Sequence, residues 1–200
     1  MQSIIVVEDN IKFYSSYLPI IYTEVFKQSQ RLVREGVNLT HKFLRMRARP
    51  KILLCTTYEE AWSYYEKYQE YVLGFILDIN FKHHGVKDPE AGIKLARTVR
   101  AQHDDISILL QSSDAGFKHI ADQIGASFMH KNSPRLLQEL REFMLQNFGF
   151  GDFVFMNNQG QEVFRAANLS QLEGALKIIS DESLIYHASR NHFSKWLKAR

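Results

Sequence analysis

Five short apolar segments, separated by longer stretches with helical spacing, constrain the fold of this chain more than any other feature. The segments are SIIVV (3–7), KILLC (51–55), VLGFIL (72–77), ISILL (106–110) and ASFMH (126–130). Most are apolar at nearly every position, which is typical of strands covered on both faces of a parallel sheet. Strands that alternate with helices are joined by right-handed crossovers, so the chain is predicted to form a doubly wound α/β sheet.

Capping signals indicate where several helices begin. Thr57 and Glu60 form a capping box ahead of EEAWSYYEKY. Asp88 precedes Pro89, and the pair Ser133–Pro134 precedes a run with helical spacing, so each proline is predicted at a first helical position. These signals place one helix between each of the later strands.

The segment between the first two strands, residues 10–49, is longer than one ordinary helix needs. Gly36 and Asn38 predict a stop and a restart, with the second helix over LTHKFLRMR. Pro19 predicts a kink in the first helix, because proline lacks the backbone donor and clashes with the preceding turn. This enlarged region is interpreted either as extra packing or as a dimer or output-docking surface.

The chain changes character after Gly149 and Gly151, which predicts a boundary between residues 1–148 and a small α+β appendage over 149–200. DFVFMNNQGQEVFRA predicts a β-hairpin that turns at 157–160, and SQLEGALKII a short helix. DESLIYHASRNHFSKWLKAR predicts one further helix, capped by Ser180 or Asp181. In one continuous helix His187 and His192 would lie on different faces, which argues against a shared metal ion.

Composition excludes several classes of protein. The chain has 200 residues, 45% hydrophobic and 24% charged, which is typical of a globular protein. The net charge of +3 is too small to indicate a nucleic-acid partner, although basic residues crowd positions 31–51. The lone Cys55 is predicted to be a buried thiol. No signal peptide or apolar span of membrane length is recognisable, so a cytoplasmic protein is expected.

Polar side chains follow four of the predicted strands where each strand ends. Glu8 and Asp9 follow the first strand, Asp78 ends the third, Ser112 the fourth and Lys131 the fifth. In a doubly wound sheet, ligands bind outside the carboxyl ends of the strands. The sequence therefore predicts that three carboxylates, a hydroxyl and an ammonium group meet at one edge.

This set of groups suits phosphoryl transfer with a hard cation. Three neighbouring carboxylates repel one another, and Mg²⁺ prefers such oxygen ligands together with water and phosphate. Asp78 is a candidate nucleophile, because carboxylates form acyl phosphates in related chemistry. Lys131 and Ser112 are candidates for holding the transferred group.

The pattern VVEDN, FILDIN, LLQSSD and FMHK resembles the receiver domain of two-component response regulators, over roughly residues 1–148. The resemblance implies a flavodoxin-like fold with a five-stranded parallel sheet of order 2-1-3-4-5. It also implies that the domain accepts a phosphoryl group on Asp78 from a histidine kinase. It implies that Glu8, Asp9 and Asp78 hold Mg²⁺ together with the main-chain oxygen of Asn80.

The resemblance also assigns roles to three residues near the later strands. Lys131 matches the lysine of the family, Ser112 the hydroxyl residue that switches on phosphorylation, and Phe128 the aromatic switch position. The implied partners are a histidine kinase or phosphotransfer protein, and an output domain or partner protein. A homodimer through residues 10–49 is a further option.

Two features depart from the family. Asn132 follows Lys131 where the family has proline, so the turn there must form differently. The stretch after Asp78, INFKHHGVKDPEAG, is predicted to be an unusually long loop. His83 and His84 within it are interpreted as solvated loop residues, because two adjacent histidines do not easily point at one ion.

The end of the chain carries a second, less specific resemblance. SLIYHASRNHFSKWLKAR is similar to the segment that joins a receiver to the catalytic part of certain phosphoenolpyruvate synthase-like proteins, which implies the N-terminal regulatory part of a larger protein. The expected role is a signalling module and not a metabolic enzyme. The alternatives are a pseudo-receiver that binds a partner without phosphorylation, a DNA-binding response regulator, and a hydrolase of the aspartyl-phosphate type.

Overall fold

The computed structural model describes residues 2–36 and 38–200 and contains eighteen strands and helices, apart from two short 3₁₀ turns, within those residues. In chain order they are β1 (Ser3–Val7), α1 (Ile11–Arg34), α2 (Leu39–Arg47), β2 (Lys51–Cys55), α3 (Tyr58–Tyr68), β3 (Val72–Asp78), β4 (Phe81–His83), β5 (Val86–Asp88), α4 (Ala91–Gln102), β6 (Ser107–Ser112), α5 (Lys118–Ile124), β7 (Ser127–His130), α6 (Leu136–Asn147), β8 (Phe153–Met156), β9 (Glu162–Ala166), α7 (Leu169–Leu176), α8 (Asp181–Ala188) and α9 (His192–Lys198).

The central sheet has the order β2-β1-β3-β6-β7, and all its strands are parallel. This order confirms the predicted flavodoxin-like, doubly wound α/β fold, and the five predicted strands agree with the observed ones within two residues. Val7 pairs with both Cys55 and Leu77, and Asp78 pairs with Gln111. The carboxyl ends of these strands are therefore level with one another.

The two faces of the sheet bury separate hydrophobic clusters. Ile5, Phe75 and Leu110 pack with residues of α3, α4 and α5 on one face. Ile4 and Leu109 pack with residues of α1 and α6 on the other. Successive strand residues thus enter opposite cores, which explains why the strand segments are apolar at nearly every position.

The first helical region consists of two helices, as predicted. Asn38 caps α2, because its side chain accepts a hydrogen bond from the backbone N–H of His41 at 2.8 Å. α1 is 24 residues long and continuous through Pro19. Every residue of α2 is exposed or half-buried, so this helix contributes little to the core.

The predicted N-cap of α3 at Thr57 is confirmed, whereas the Glu60 carboxylate bonds one residue further back than in a standard capping box. Thr57 Oγ1 accepts from the backbone N–H of Glu60 at 3.2 Å, and the Glu60 carboxylate reaches back to the backbone N–H of Thr56 at 2.8 Å. The first bond satisfies a donor that the first turn of a helix leaves without a partner, and the second fixes the residue that precedes the cap.

Two predicted helix starts are wrong by two residues. α4 begins at Ala91 and not at Pro89, and α6 begins at Leu136 and not at Pro134. Asp88 Oδ1 accepts from the backbone N–H of Glu90, and Ser133 Oγ accepts from that of Arg135. Each side chain therefore stabilises a turn ahead of the helix instead of capping its first residue.

The stretch after Asp78 contains a hairpin that was predicted as a loop. β4 and β5 pair antiparallel, with Phe81 opposite Asp88 and His83 opposite Val86. The turn is made by His84 and Gly85, both with positive φ. The hairpin lies beside the carboxyl edge of the sheet, because it directly follows β3.

The appendage contains the predicted hairpin, β8 and β9, followed by α7. The final segment forms two helices and not the predicted one: it breaks at Asn191, which adopts a left-handed conformation with a φ of 56°. Ser180 caps α8 through the backbone N–H of Ser183. The break turns α9 back toward α8, and as a result His187 Nδ1 lies 2.9 Å from His192 Nδ1, contrary to the expectation of separate faces.

The appendage packs against the C-terminal half of α1. Gln28, which is 2% exposed, donates to the carbonyl of Ala199 at 3.3 Å and accepts from the backbone N–H of Gly151 at 3.0 Å. Trp196 donates its indole N–H to the carbonyl of Gly151, and Ala199 belongs to the core formed by α1 and α6. Residues on both sides of the predicted boundary at 148/149 thus share one buried interface.

Within residues 2–36 and 38–200, the helices are all too short or too polar to cross a membrane.

Candidate functional site

The level carboxyl ends of β1, β3 and β6 bring the predicted polar residues to one pocket of about 430 Å³. Asp9, Asp78, Asn80, Ser112 and Lys131 all line it. Glu8 lies beneath, fully buried. The pocket also includes side chains that the sequence did not single out, among them Phe13 and Lys87.

Lys131 is the central cation of the site. Its Nζ lies 2.7 Å from Glu8 Oε2 and 2.8 Å from Asp78 Oδ1, and its side chain is only 5% exposed. The ammonium group also lies 4.4 Å from the ring centre of Phe13, a cation–π distance. Lys131 is held in place because its backbone N–H donates to the carbonyl of Ser112 at 2.8 Å, which ties the end of β7 to the end of β6.

Glu8 differs from the other two carboxylates because both of its oxygens have protein partners. Oε2 accepts from Lys131, and Oε1 accepts from the backbone N–H of Asn10 at 3.1 Å. Burial, with the nearby Asp78 carboxylate, raises the pKa of Glu8 to about 6. Glu8 is therefore ionised at neutral pH and neutralised mainly by Lys131.

Asp78 lies at the end of β3, and one of its carboxylate oxygens has two protein partners. Oδ1 accepts from the backbone N–H of Ile79 at 2.8 Å and pairs with Lys131, whereas Oδ2 makes neither contact. The start of α4 packs directly behind this residue: an added Cβ at Gly92 would lie 2.0 Å from the Asp78 carbonyl oxygen. Glycine is required there because no side chain fits between α4 and β3.

Ser112 lies on the pocket wall with its hydroxyl proton available. Ser112 Oγ accepts a hydrogen bond from the backbone N–H of Asp114 at 3.1 Å, so its own O–H can donate to a ligand. Phe128 does not reach the pocket lining. Its partly buried side chain packs against the core formed with α3, α4 and α5.

His130 stabilises the turn that contains Asn132, the position at which the family that the sequence resembles has proline. The backbone N–H of Asn132 donates to His130 Nδ1 at 3.3 Å, and His130 Nε2 donates to the carbonyl of Ser113 at 2.8 Å. With these partners Nε2 is the donor and Nδ1 the acceptor of the ring. One imidazole ring thus connects the loop after β7 with the loop after β6.

The acidic residues fit a hard divalent cation. Glu8, Asp9 and Asp78 each offer an oxygen, and these oxygens lie within 4.8 Å of one another. Asp9 and Asp78 face the pocket, as does Asn80, whose main-chain oxygen is the fourth predicted ligand. Carboxylate and carbonyl oxygens at an open, hydrated edge are the donors that Mg²⁺ prefers. The acidic cluster is therefore compatible with a divalent cation; Asp9 and Asp78 have oxygens that face the pocket, whereas both oxygens of Glu8 already have protein partners.

A second ammonium group enters this site from the hairpin. Lys87 on β5 places Nζ 2.7 Å from Asp9 Oδ2. Sequence reasoning missed this residue because the hairpin itself was not predicted. Phe13 was missed because an aromatic residue near the start of an amphipathic helix is ordinarily read as core.

Cys55 takes no part in the site. The thiol is fully buried at the end of β2, and burial raises its pKa to about 12. A thiol with such a high pKa is a poor nucleophile at neutral pH, in line with the predicted buried thiol.

The fold and the pocket together define a doubly wound α/β protein with an acidic, lysine-containing site at the carboxyl edge of its sheet. Protein-family models and curated protein sequences provide no match to the chain.

Solved structures do provide matches. One is a response regulator receiver domain protein from Clostridium thermocellum, 14% identical over 72% of this chain and 92% of that chain, with a TM-score of 0.48. A second is the chemotaxis protein CheY4 of Vibrio cholerae, 16% identical over 74% and 98% of the two chains, with a TM-score of 0.44. A third is the Mn²⁺-bound form of the response regulator Rcp1, 14% identical over 72% and 92%, with a TM-score of 0.42. The likeness concerns the fold, so the role of the chain depends on the geometry of its site.

Proposed function

We propose that the chain is a phosphoacceptor signal receiver, in which Asp78 accepts a phosphoryl group from a phosphohistidine of a histidine kinase or phosphotransfer protein. The observation that carries the proposal is the contact of Lys131 with both Glu8 and Asp78 in a pocket that also presents Asp9 and Ser112. A cation held between a candidate nucleophile and a buried acid is suited to balancing charge that builds up during phosphoryl transfer.

The two carboxylate oxygens of Asp78 differ in their contacts, and this difference favours one of them as the nucleophile. Because Oδ1 is held by Ile79 and Lys131, Oδ2 is the oxygen that attacks phosphorus. The new P–O bond forms as the P–N bond of the phosphohistidine breaks, and the bonding electron pair stays on the imidazole nitrogen. Bound Mg²⁺ supplies neutralisation of the phosphoryl oxygens.

Two groups of the chain lie where they can stabilise the negative charge of the phosphorylated Asp78. The phosphoryl group adds close to two negative charges. Lys131 stands beside Asp78, and Ser112 has a free O–H on the same pocket wall. The movement of Ser112 toward the phosphoryl group, followed by Phe128, is the proposed switch that alters the surface near β7.

The experiment is phosphorylation by a small donor, acetyl phosphate with Mg²⁺, followed by intact-mass measurement. Wild type is expected to gain about 80 Da, the mass of one phosphoryl group, and Asp78→Asn is expected to gain nothing. Asp122→Asn, which changes an exposed carboxylate on α5, serves as the matched control and is expected to be labelled like wild type. Equal labelling of Asp78→Asn would contradict the assignment.

A specific observation favours a second candidate, the pseudo-receiver. Lys87 and Lys131 already supply two ammonium groups to the three carboxylates, so the protein itself neutralises much of the charge that a metal ion would. In that function the folded pocket is a fixed recognition surface. Absence of labelling in wild type with every donor and kinase tested would favour it.

The proposed setting is a signalling module in the cytoplasm, acting as the regulatory part of a larger phosphoenolpyruvate synthase-like protein and not itself as a metabolic enzyme. The proposed output is a C-terminal domain or a partner protein. A second copy of the chain is a proposed partner for α2, because Leu39, Phe43 and Met46 are exposed at helical spacing. Sedimentation of wild type beside Phe43→Glu, with Thr40→Glu as control, tests this: only Phe43→Glu is expected to shift a dimer to monomer.

A further inference from the structure

We propose that the β4–β5 hairpin and the start of α3 form a second cation site, for a divalent transition metal such as Zn²⁺, with Glu59, His83 and His84 as ligands. A ligand atom from each residue lies within 4.8 Å of those of the other two. Imidazole nitrogens combined with one carboxylate favour Zn²⁺, Co²⁺ or Ni²⁺ over Mg²⁺. This site is chemically distinct from the oxygen-only site at the sheet edge.

The His83 ring is held in place by a carboxylate, as the rings of metal-ligating histidines commonly are. Its Nδ1 lies 3.2 Å from Asp88 Oδ2. The Asp88 carboxylate also accepts from Lys94 Nζ at 2.7 Å and from the backbone N–H of Glu90 at 2.9 Å, so it acts as an acceptor throughout. A proton therefore sits on Nδ1, and in the neutral ring this leaves Nε2 as the nitrogen that can bind a metal, as in carboxylate–histidine–metal arrangements. Tyr58 stacks on the ring at a centroid distance of 4.3 Å, which restricts its rotation.

The hairpin turn brings His84 to the same side as His83, contrary to the expectation for adjacent histidines. Successive residues of an extended strand point to opposite faces. His84 instead adopts a left-handed φ of 52°, and its ring stacks on that of His83 with centroids 4.1 Å apart. A left-handed conformation is uncommon for residues other than glycine.

Glu59 connects this turn to α3. Glu59 Oε1 accepts from the backbone N–H of His84 at 2.7 Å and lies 3.4 Å from His84 Nδ1. The side chains of Glu59 and His84 are 47% and 82% exposed, so an ion can reach them from solvent. Three protein ligands with an open side match a tetrahedral ion that keeps one water.

The test is titration of the whole chain with Co²⁺ and Zn²⁺, followed by visible absorption for Co²⁺ and calorimetry for Zn²⁺. His84→Gly removes one ligand and suits the left-handed backbone, so the variant is expected to fold; circular dichroism checks this. We expect Co²⁺ and Zn²⁺ to bind at least about tenfold more weakly to His84→Gly, and Asp88→Asn to lose about tenfold while keeping all three ligands.

His119→Ala, which removes a histidine on α5 outside the cluster, is the matched control and is expected to bind like wild type. Two outcomes overturn the proposal. One is unchanged Co²⁺ and Zn²⁺ affinity in His84→Gly and His83→Gln. The other is loss of binding only in a His187→Gln variant, which would place the ion at the His187–His192 pair. None of these readouts depends on phosphorylation of Asp78.

Discussion

Lys87 and Asp9 form an ion pair 2.7 Å long between the β4–β5 hairpin and the end of β1. Asp9 is also a predicted Mg²⁺ ligand that faces the pocket. A divalent cation bound at the predicted site would compete with this ammonium group for the same carboxylate, so occupancy by one would weaken binding of the other.

Replacing Lys87 by methionine is expected to raise Mg²⁺ affinity. The substitution keeps the apolar stem and removes the competing charge, so the gain should be about twofold to fivefold, as for an exposed ion pair worth up to about 1 kcal/mol. Calorimetric titration with Mg²⁺ measures it. Lys82→Met, which alters the cross-strand neighbour of Lys87, is the control. Unchanged or weaker Mg²⁺ binding in Lys87→Met would show that the two cations do not compete.

Alanine at Gly92 is expected to disturb the site from behind. Its Cβ would meet the backbone at Asp78 O, 2.0 Å away, and backbone atoms cannot rotate aside. We expect a loss of about 1–3 kcal/mol in the free energy of unfolding, typical of overpacking, and slower labelling by acetyl phosphate. Chemical denaturation and intact mass measure these.

Gly174 on α7 offers a matched control for that substitution. Apart from its own helix, an added Cβ there would have no atom of the described residues within 4 Å. Gly174→Ala is therefore expected to gain about 0.5–1 kcal/mol from helix propensity and to leave labelling unchanged. If Gly92→Ala behaved like Gly174→Ala, the close approach of α4 to Asp78 would have no energetic effect.

The His187–His192 pair is expected to make the protein less stable in mild acid. His187 Nε2 accepts from the backbone N–H of Met156, so its proton lies on Nδ1 and is donated to His192 Nδ1. Both rings are therefore neutral. Burial, with the neighbouring His187 and the cationic groups of Lys195 and Arg190, lowers the pKa of His192 to about 4, and burial also lowers that of His187.

The direction of this pH effect on stability follows from the difference in proton binding between the folded and unfolded states. An unfolded histidine titrates near pH 6.5, so below that pH the unfolded state takes up protons that the folded state does not. The stabilisation is complete above about pH 6.5 and is lost as the pH falls toward about 4. We expect on the order of 1–2 kcal/mol, reduced by solvent screening because His192 is only partly buried. Urea unfolding at pH 7.5 and pH 5 measures it, and His192→Gln should flatten the pH dependence; an equally steep loss in that variant would contradict it.

Gln28 is expected to be the main polar link between α1 and the appendage. Gln28→Leu leaves the backbone N–H of Gly151 and the carbonyl of Ala199 buried without this partner, at a cost of about 1–3 kcal/mol for each group. Urea unfolding measures the loss, with the exposed neighbour Gln30→Leu as control. Equal stability of the two variants would mean that other contacts hold the appendage. Removal of residues 152–200 is still predicted to leave Asp78 able to accept a phosphoryl group.

The sheet could be predicted from the sequence because its strands are buried on both faces. Continuous apolar runs such as SIIVV carry that signal within each segment, and the residues that follow them, such as Glu8 and Asp78, are positioned by the strands themselves. Strand order then places them at one edge.

The hairpin and the last helices could not be predicted in the same way. β4 and β5 have three residues each, too few to show a period, and their partners lie partly across the fold in α3 and at Asp9. The break at Asn191 depends on packing of α9 beneath β8, where Trp196 and Phe193 contact Phe153. Tertiary contacts of this kind override a helical pattern that continues along the sequence.

α1 touches the candidate site at one end and the appendage at the other. Phe13 lies against Lys131, and Gln28, fifteen positions further along the same helix, holds Gly151 and Ala199. At a rise of 1.5 Å per residue these contacts are about 22 Å apart. If α1 moves as one body, a tilt imposed where Lys131 meets Phe13 would displace the appendage at the other end.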